Sequence, residues 1–200
     1  MPPNRRRGGG SLRLERPAQV GSVSVPASRR PRPNSAILTF LIADIRGYTA
    51  FTRSAGDEAA ARLAAAFAEI VREGVEAFDG DVIELRGDEA LAVFGSARSA
   101  LRAALELQRV LEDERAIEPS LPMQVGIGLD AGEAVPVEGG YRGAALNLAA
   151  RLCAVAAPGE IVASEGVLHL AGTVEGLATR PREGLGGHFS GGTGMTPGKT

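Results

Sequence analysis

The sequence predicts an α+β domain: a ferredoxin-like, mixed and largely antiparallel sheet with helices on one face. Three observations lead there. Strand-like and helix-like segments alternate between Ala36 and Leu170 in the order β-α-β-β-α-β-β-α-β. Strands between helices come in pairs joined by short turns, which makes them antiparallel neighbours. The ten residues Ala36–Ile45 form an apolar run of strand length, suited to a central strand buried on both faces.

The elements follow in order. After the strand Ala36–Ile45, Arg46-Gly47-Tyr48-Thr49 reads as a sharp loop, with Thr49 capping a short helix through Phe51. Asp57-Glu58 opens a long helix to about Phe78. Its buried stripe is Leu63, Phe67, Ile70, Val71 and Val75, at helical spacing. Asp79-Gly80 is a turn, and Val82–Arg86 with Glu89–Phe94 form a tight hairpin around Gly87-Asp88. Ser96 caps the next helix, which presents Leu101, Leu105 and Leu111 and ends near Arg115. Gln124–Leu129 and Glu133–Val137 read as a second strand pair. Gly143 precedes a helix from Ala144 to Ala156, which Pro158-Gly159 ends. Glu160–Ser164 is a last strand, and a short helix reaches Leu170. The expected organisation is a disordered basic leader at 1–35, a domain at 36–171 that lacks C-terminal strands, and a disordered Gly- and Pro-rich tail at 172–200.

Composition narrows the function classes. Eight arginines against one glutamate give the leader a net +7, which leaves −9 for the rest of a chain whose formal charge is −2. No aromatics accompany those arginines, so a solvated leader is expected and no nucleic-acid partner. No stretch of 18 apolar residues exists, so no membrane span is expected. The single cysteine, Cys153, has apolar flanks and no partner for an intrachain disulfide. It reads as a buried thiol in a reducing, cytoplasmic setting.

Three groups of residues carry chemistry. Asp44 ends a buried strand and Asp88 sits at a hairpin tip. In a ferredoxin-like sheet those strands are neighbours, so both carboxylates reach one spot. Two hard oxygen ligands with positions left open suit Mg²⁺ or Mn²⁺ held together with substrate phosphates. Arg46, Gly47, Tyr48 and Thr49 lead into a helix N-terminus, whose free N–H groups and dipole suit phosphate. Asn147 and Arg151 lie i, i+4 on an otherwise apolar helix and so share one face. There they suit orienting a ribose and neutralising charge on a phosphoryl group in transfer.

With these residues in view, the chain resembles class III adenylate and guanylate cyclase catalytic domains. Asp44-Ile45-Arg46-Gly47-Tyr48-Thr49, Gly87–Phe94, Gly126-Ile127-Gly128 and Gly143–Leu152 are similar to four of that family's motifs, in the same order. The resemblance implies the nucleotide cyclase fold and conversion of ATP to 3′,5′-cyclic AMP and pyrophosphate for signal transduction. It implies two Mg²⁺ or Mn²⁺ ions per site, held by Asp44, Asp88 and the carbonyl of Ile45. One ion would activate the ribose 3′-hydroxyl and the other would grip the polyphosphate. Asn147 would orient the ribose, Arg151 would stabilise the transition state, and Arg46–Thr49 would hold phosphates. A head-to-tail homodimer would build each site from two protomers.

Two departures mark this sequence. The family's adenylate cyclases place Lys four residues before the second metal aspartate and usually Asp seven before the catalytic Asn. Here those base-reading positions are Glu84 and Gly140. Glu at the first position resembles guanylate cyclases, so GTP is the alternative substrate. The second departure is the apparently missing strands after Leu170, together with a triphosphate-contacting Lys. They leave open a degenerate domain that binds nucleotide or a partner without turnover.

Overall fold

The computed structural model describes residues 36–182 and the backbone of 192–197. The expected leader lies outside the described residues. Among the described residues the elements are β1 (Ala36–Ile45), α1 (Tyr48–Ala55), α2 (Asp57–Glu76), β2 (Gly80–Arg86), β3 (Glu89–Phe94), α3 (Ala97–Ile117), β4 (Val125–Val137), β5 (Gly140–Arg142), α4 (Ala144–Val155), β6 (Ile161–Ser164), α5 (Glu165–Ala171), β7 (Leu177–Arg182) and β8 (Gly192–Pro197).

The sheet runs in the order β2-β3-β1-β4-β6-β8-β7, with β5 paired to β4. All pairings are antiparallel except β4 with β6. The apolar run of β1 takes a central place, and its alternation serves two cores. Leu41, Ala43 and Ile45 face one cluster with Leu63, Phe67, Val71, Leu101 and Leu107 of α2 and α3. Leu38, Phe40 and Ile42 face a second cluster with Ala145, Ala149 and Cys153 of α4. The helices therefore divide between both faces of the sheet, and the expectation of helices on one face is corrected by α4. A strand apolar on both sides has to be covered on both sides.

The α4 face depends on one glycine. A Cβ built on Gly128 of β4 would stand 2.1 Å from the backbone nitrogen of Cys153 and 2.2 Å from the carbonyl oxygen of Ala149. These are main-chain atoms, which have no rotamer by which to yield. Gly128→Ala is expected to push α4 off the sheet at a cost of at least about 2 kcal/mol. Urea unfolding of the purified variant checks this.

The remaining elements explain themselves locally. Ala60, Leu63, Phe67, Val71 and Val75 form the buried stripe of α2, while Ile70 is only partly buried. Ser96 caps α3, its hydroxyl accepting from the amide of Ser99. Buried Gln108 of α3 donates to the carbonyl of Val125 at 2.8 Å and ties that helix to β4.

Three expectations change. Gln124–Leu129 and Glu133–Val137 are one continuous strand, β4, paired to β1 from Val125 to Ala134. Asp130 lies between the two expected strands, and its buried carboxylate accepts a hydrogen bond from the Ser164 hydroxyl within the continuous strand. Thr49 does not cap α1. That helix starts at Tyr48, after Gly47 in the left-handed conformation at φ 82°. Finally, the strands expected to be missing are present as β7 and β8, so residues 177–182 and 192–197 are not a structureless tail. Leu177-Ala178-Thr179-Arg180-Pro181-Arg182 and Gly192-Thr193-Gly194-Met195-Thr196-Pro197 carry little apolar patterning. Main-chain pairing to each other and to β6 forms them instead. Proline and arginine in β7 suit the edge place it occupies.

Candidate active site

The site begins where β1 ends. Asp44 points to the α4 side of the sheet, opposite Glu89 in register, with its side chain about a quarter exposed. Asp88 sits at the β2–β3 tip, after Gly87 at φ 61°. Its carbonyl accepts the amide of Ile45 at 2.9 Å, which locks the tip against the end of β1. In an antiparallel ladder the amide and carbonyl of one residue face the same neighbour, so the Ile45 carbonyl also looks toward the tip. Burial raises the pKa of Asp44, the Arg46 guanidinium lowers it, and the nearby Asp88 and Glu89 raise it further. Asp88 and Glu89 thus both oppose the charge on Asp44, a field that a cation would relieve.

The donor set fits a small hard cation. Two carboxylates and a carbonyl leave positions for phosphate oxygens and water, which is how Mg²⁺ is usually held. No group of three or more His, Cys, Asp or Glu suited to a metal occurs among the described residues.

Beside the acids, α1 opens with no side-chain cap. Its first amides are left for another acceptor, and Gly47 brings the chain to them without a side chain in the way. The Tyr48 hydroxyl donates to the Ala60 carbonyl at 3.2 Å, so that side chain pins α1 to α2. Thr49 is exposed. Arg46 turns away from this loop: its guanidinium donates to the Asp44 carboxylate and to the Cys153 carbonyl of α4.

Of the two positions expected to read the base, Glu84 is turned by a local irregularity in its strand. A β-bulge at Ile83 interrupts the β2–β3 register, so Glu84 rather than Ile83 pairs with Leu91. Leu91 lies on the α4 side with Ile42. The bulge therefore puts Glu84 on the same sheet face as Asp44, where strict alternation from Val82 would have put it on the other. Gly140 lies nearby, its built Cβ 3.6 Å from the Ile83 side chain. Glu84 is held by Arg86 at 2.6 Å, on a largely exposed surface.

Asn147 and Arg151 lie on the exposed side of α4. Ala145, Ala149, Leu152 and Cys153 are the buried side of α4, and Asn147 and Arg151 are exposed. At about 100° per residue both lie roughly half a turn from that buried stripe. They face away from the sheet.

Sequence reading missed the roles of Glu89, Gln108 and Gly126. Gly126 had a legible signal: Gly126 and Gly128 stand two apart, hence on one strand face, where a close neighbour is expected. Cys153 is buried as expected, and burial pushes its thiol up to about 12. At pH 8 roughly one thiol in ten thousand is then ionised. Labelling by a disulfide reagent at pH 8 is expected to run at least about a hundredfold slower in the native protein than in urea.

No family model matches the chain. The "Uncharacterized protein Rv2212" of Mycobacterium tuberculosis is 35% identical over 122 residues, covering 61% of this chain and 31% of that protein. The "Putative adenylate cyclase 3" of Rhizobium meliloti is 27% identical over 132 residues, covering 66% of this chain and 22% of that protein. The chain thus spans less than a third of the length of these two curated relatives. Among solved structures, an adenylate/guanylate cyclase/hydrolase from Silicibacter pomeroyi superposes with a TM-score of 0.68 at 26% identity, covering 82% of this chain and 98% of that one. The guanylyl cyclase Cya2 gives 0.64 at 22%, over 82% and 94%. The adenylyl cyclase CyaB from P. aeruginosa gives 0.67 at 19%, over 83% and 96%.

Proposed function

We propose, from a chain that has the fold of the adenylate and guanylate cyclase catalytic domains, that it is a nucleotidyl cyclase closing ATP into 3′,5′-cyclic AMP with release of pyrophosphate. One observation carries the reading: the hairpin tip that bears Asp88 is hydrogen-bonded to the end of the strand that bears Asp44, directly beside an uncapped helix N-terminus. That pairing suits a metal–triphosphate complex.

Asp44, Asp88 and the Ile45 carbonyl would hold two Mg²⁺ or Mn²⁺ ions. Bound there, the ions supply Lewis acidity toward the 3′-hydroxyl and charge neutralisation on the polyphosphate. The first amides of α1 receive phosphate oxygens. Arg151 places a fixed positive charge on the phosphorus under attack, and Asn147 orients the ribose. Asn147 and Arg151 lie on the exposed side of α4, which suits their being supplied by a second copy. The functional unit in this reading is a head-to-tail homodimer with two composite sites.

ATP as substrate is supported by the likeness to the Rhizobium meliloti protein named as an adenylate cyclase. GTP is supported by a specific placement, Glu84 on the Asp44 face of the sheet. A carboxylate there accepts from the N–H groups of guanine and repels the adenine ring nitrogens. Among the described residues no helix is long and apolar enough to cross a membrane.

Product analysis tests the reading: purified protein with ATP or GTP, each with Mg²⁺ and with Mn²⁺. Cyclic AMP is the expected product. Cyclic GMP would make Glu84 the base reader. Folded, dimeric protein that binds nucleotide yet forms no cyclic product would replace the enzyme with a binding module.

A further inference from the structure

Arg46 follows Asp44 by two residues, and its guanidinium folds back beneath α4. It donates to the Asp44 carboxylate and to the Cys153 carbonyl, and lies 3.8 Å from the Cys153 sulfur. Gly126 of β4 forms the floor of this seat. A Cβ there would stand 2.1 Å from one terminal nitrogen, 2.5 Å from Nε and 2.6 Å from Cζ. The seat is closed enough that Nε is buried without a hydrogen-bond partner. An arginine held ready for a phosphate would stay hydrated and mobile. This one is built into the packing, against the last turn of a helix, where cations are favoured.

Its two contacts belong to different places in the proposed dimer. Asp44 is a metal acid of one composite site. α4 carries Asn147 and Arg151, which serve the other. We propose that Arg46 is a positioning residue that ties the Asp44 end of β1 to the last turn of α4, and so couples the two composite sites. The coupling rests on the cyclase reading above; the tie itself rests on the geometry.

Two variants probe the tie. Arg46→Gln removes the guanidinium. Gly126→Ala keeps Arg46 and its charge but fills the seat. In homodimers both are expected to lower kcat about tenfold or more, with KM for the triphosphate within about threefold of the wild type. A raised KM with unchanged kcat would make Arg46 a direct phosphate ligand and overturn the proposal. A one-site heterodimer, made by mixing an Asp88→Ala protomer with an Arg151→Ala protomer, reads the coupling. Arg46→Gln placed in the Asp88→Ala protomer is expected to lower activity, because that protomer's α4 serves the only live site. An effect confined to the other protomer would reduce Arg46 to a local support of Asp44 and overturn the coupling. Hydrogen exchange gives a readout independent of turnover. Amides of residues 149–155 are expected to exchange about tenfold faster in Arg46→Gln, with those of α2 unchanged. Unchanged exchange in α4 would overturn the tie. If the wild type makes no cyclic product, the cyclase reading fails and the exchange result still decides the tie.

Discussion

Asp88→Asn is expected to lower kcat by at least about a thousandfold, with Asp44→Asn doing the same, at saturating Mg²⁺ or Mn²⁺. The reason is the thinness of the donor set. In the proposed site Asp44 and Asp88 would supply the carboxylate ligands, so losing either charge would remove half of that anionic ligation. A bound cation supplies several kcal/mol of transition-state stabilisation, and each 1.4 kcal/mol or so is a factor of ten. Asn preserves the shape of each side chain and its ability to accept a hydrogen bond. At position 44 it can still accept from Arg46. Circular dichroism and thermal melting identify any loss that comes from unfolding. Metal-dependent product from either folded variant at near wild-type rate would remove that residue from the metal site.

Arg151→Ala is expected to lower kcat by about 10²–10³ and to leave KM nearly unchanged, because a charge that meets only the transferring phosphoryl group acts in the transition state. The residue is exposed on α4, so its removal is expected to cost little stability. Arg151→Ala and Asp88→Ala protomers, each nearly inactive alone, are expected to recover about a quarter of wild-type activity when mixed in equal amounts. Half of the dimers are then heterodimers, each with one complete site of two. No recovery from protomers shown to exchange would mean that the acids and the Asn147/Arg151 pair do not meet across a dimer.

How far the site is legible in the sequence depends on how each residue is set. Asp44 and Asp88 are fixed by strand position: one ends an apolar run and the other tips a hairpin, and register between neighbouring strands brings them together. Glu84 is less legible. Its face depends on a bulge that no alternation pattern displays. Arg46 is read from the sequence as part of a phosphate loop. Its side-chain direction depends on the space that Gly126 leaves on β4, some eighty residues away.

The same division holds for the fold. Periodicity and caps determine β1, α2, the β2–β3 hairpin, α3 and α4, because burial of one stripe or one face is a local property of spacing. Composition alone does not reveal β7 and β8, since main-chain hydrogen bonds form them and leave no apolar signature. Only the tertiary structure decided that α4 covers the opposite face from α2 and α3. Only it decided that Asn147 and Arg151 lie on the exposed side of α4, for the apolar side of that helix is spent on β1 and β4.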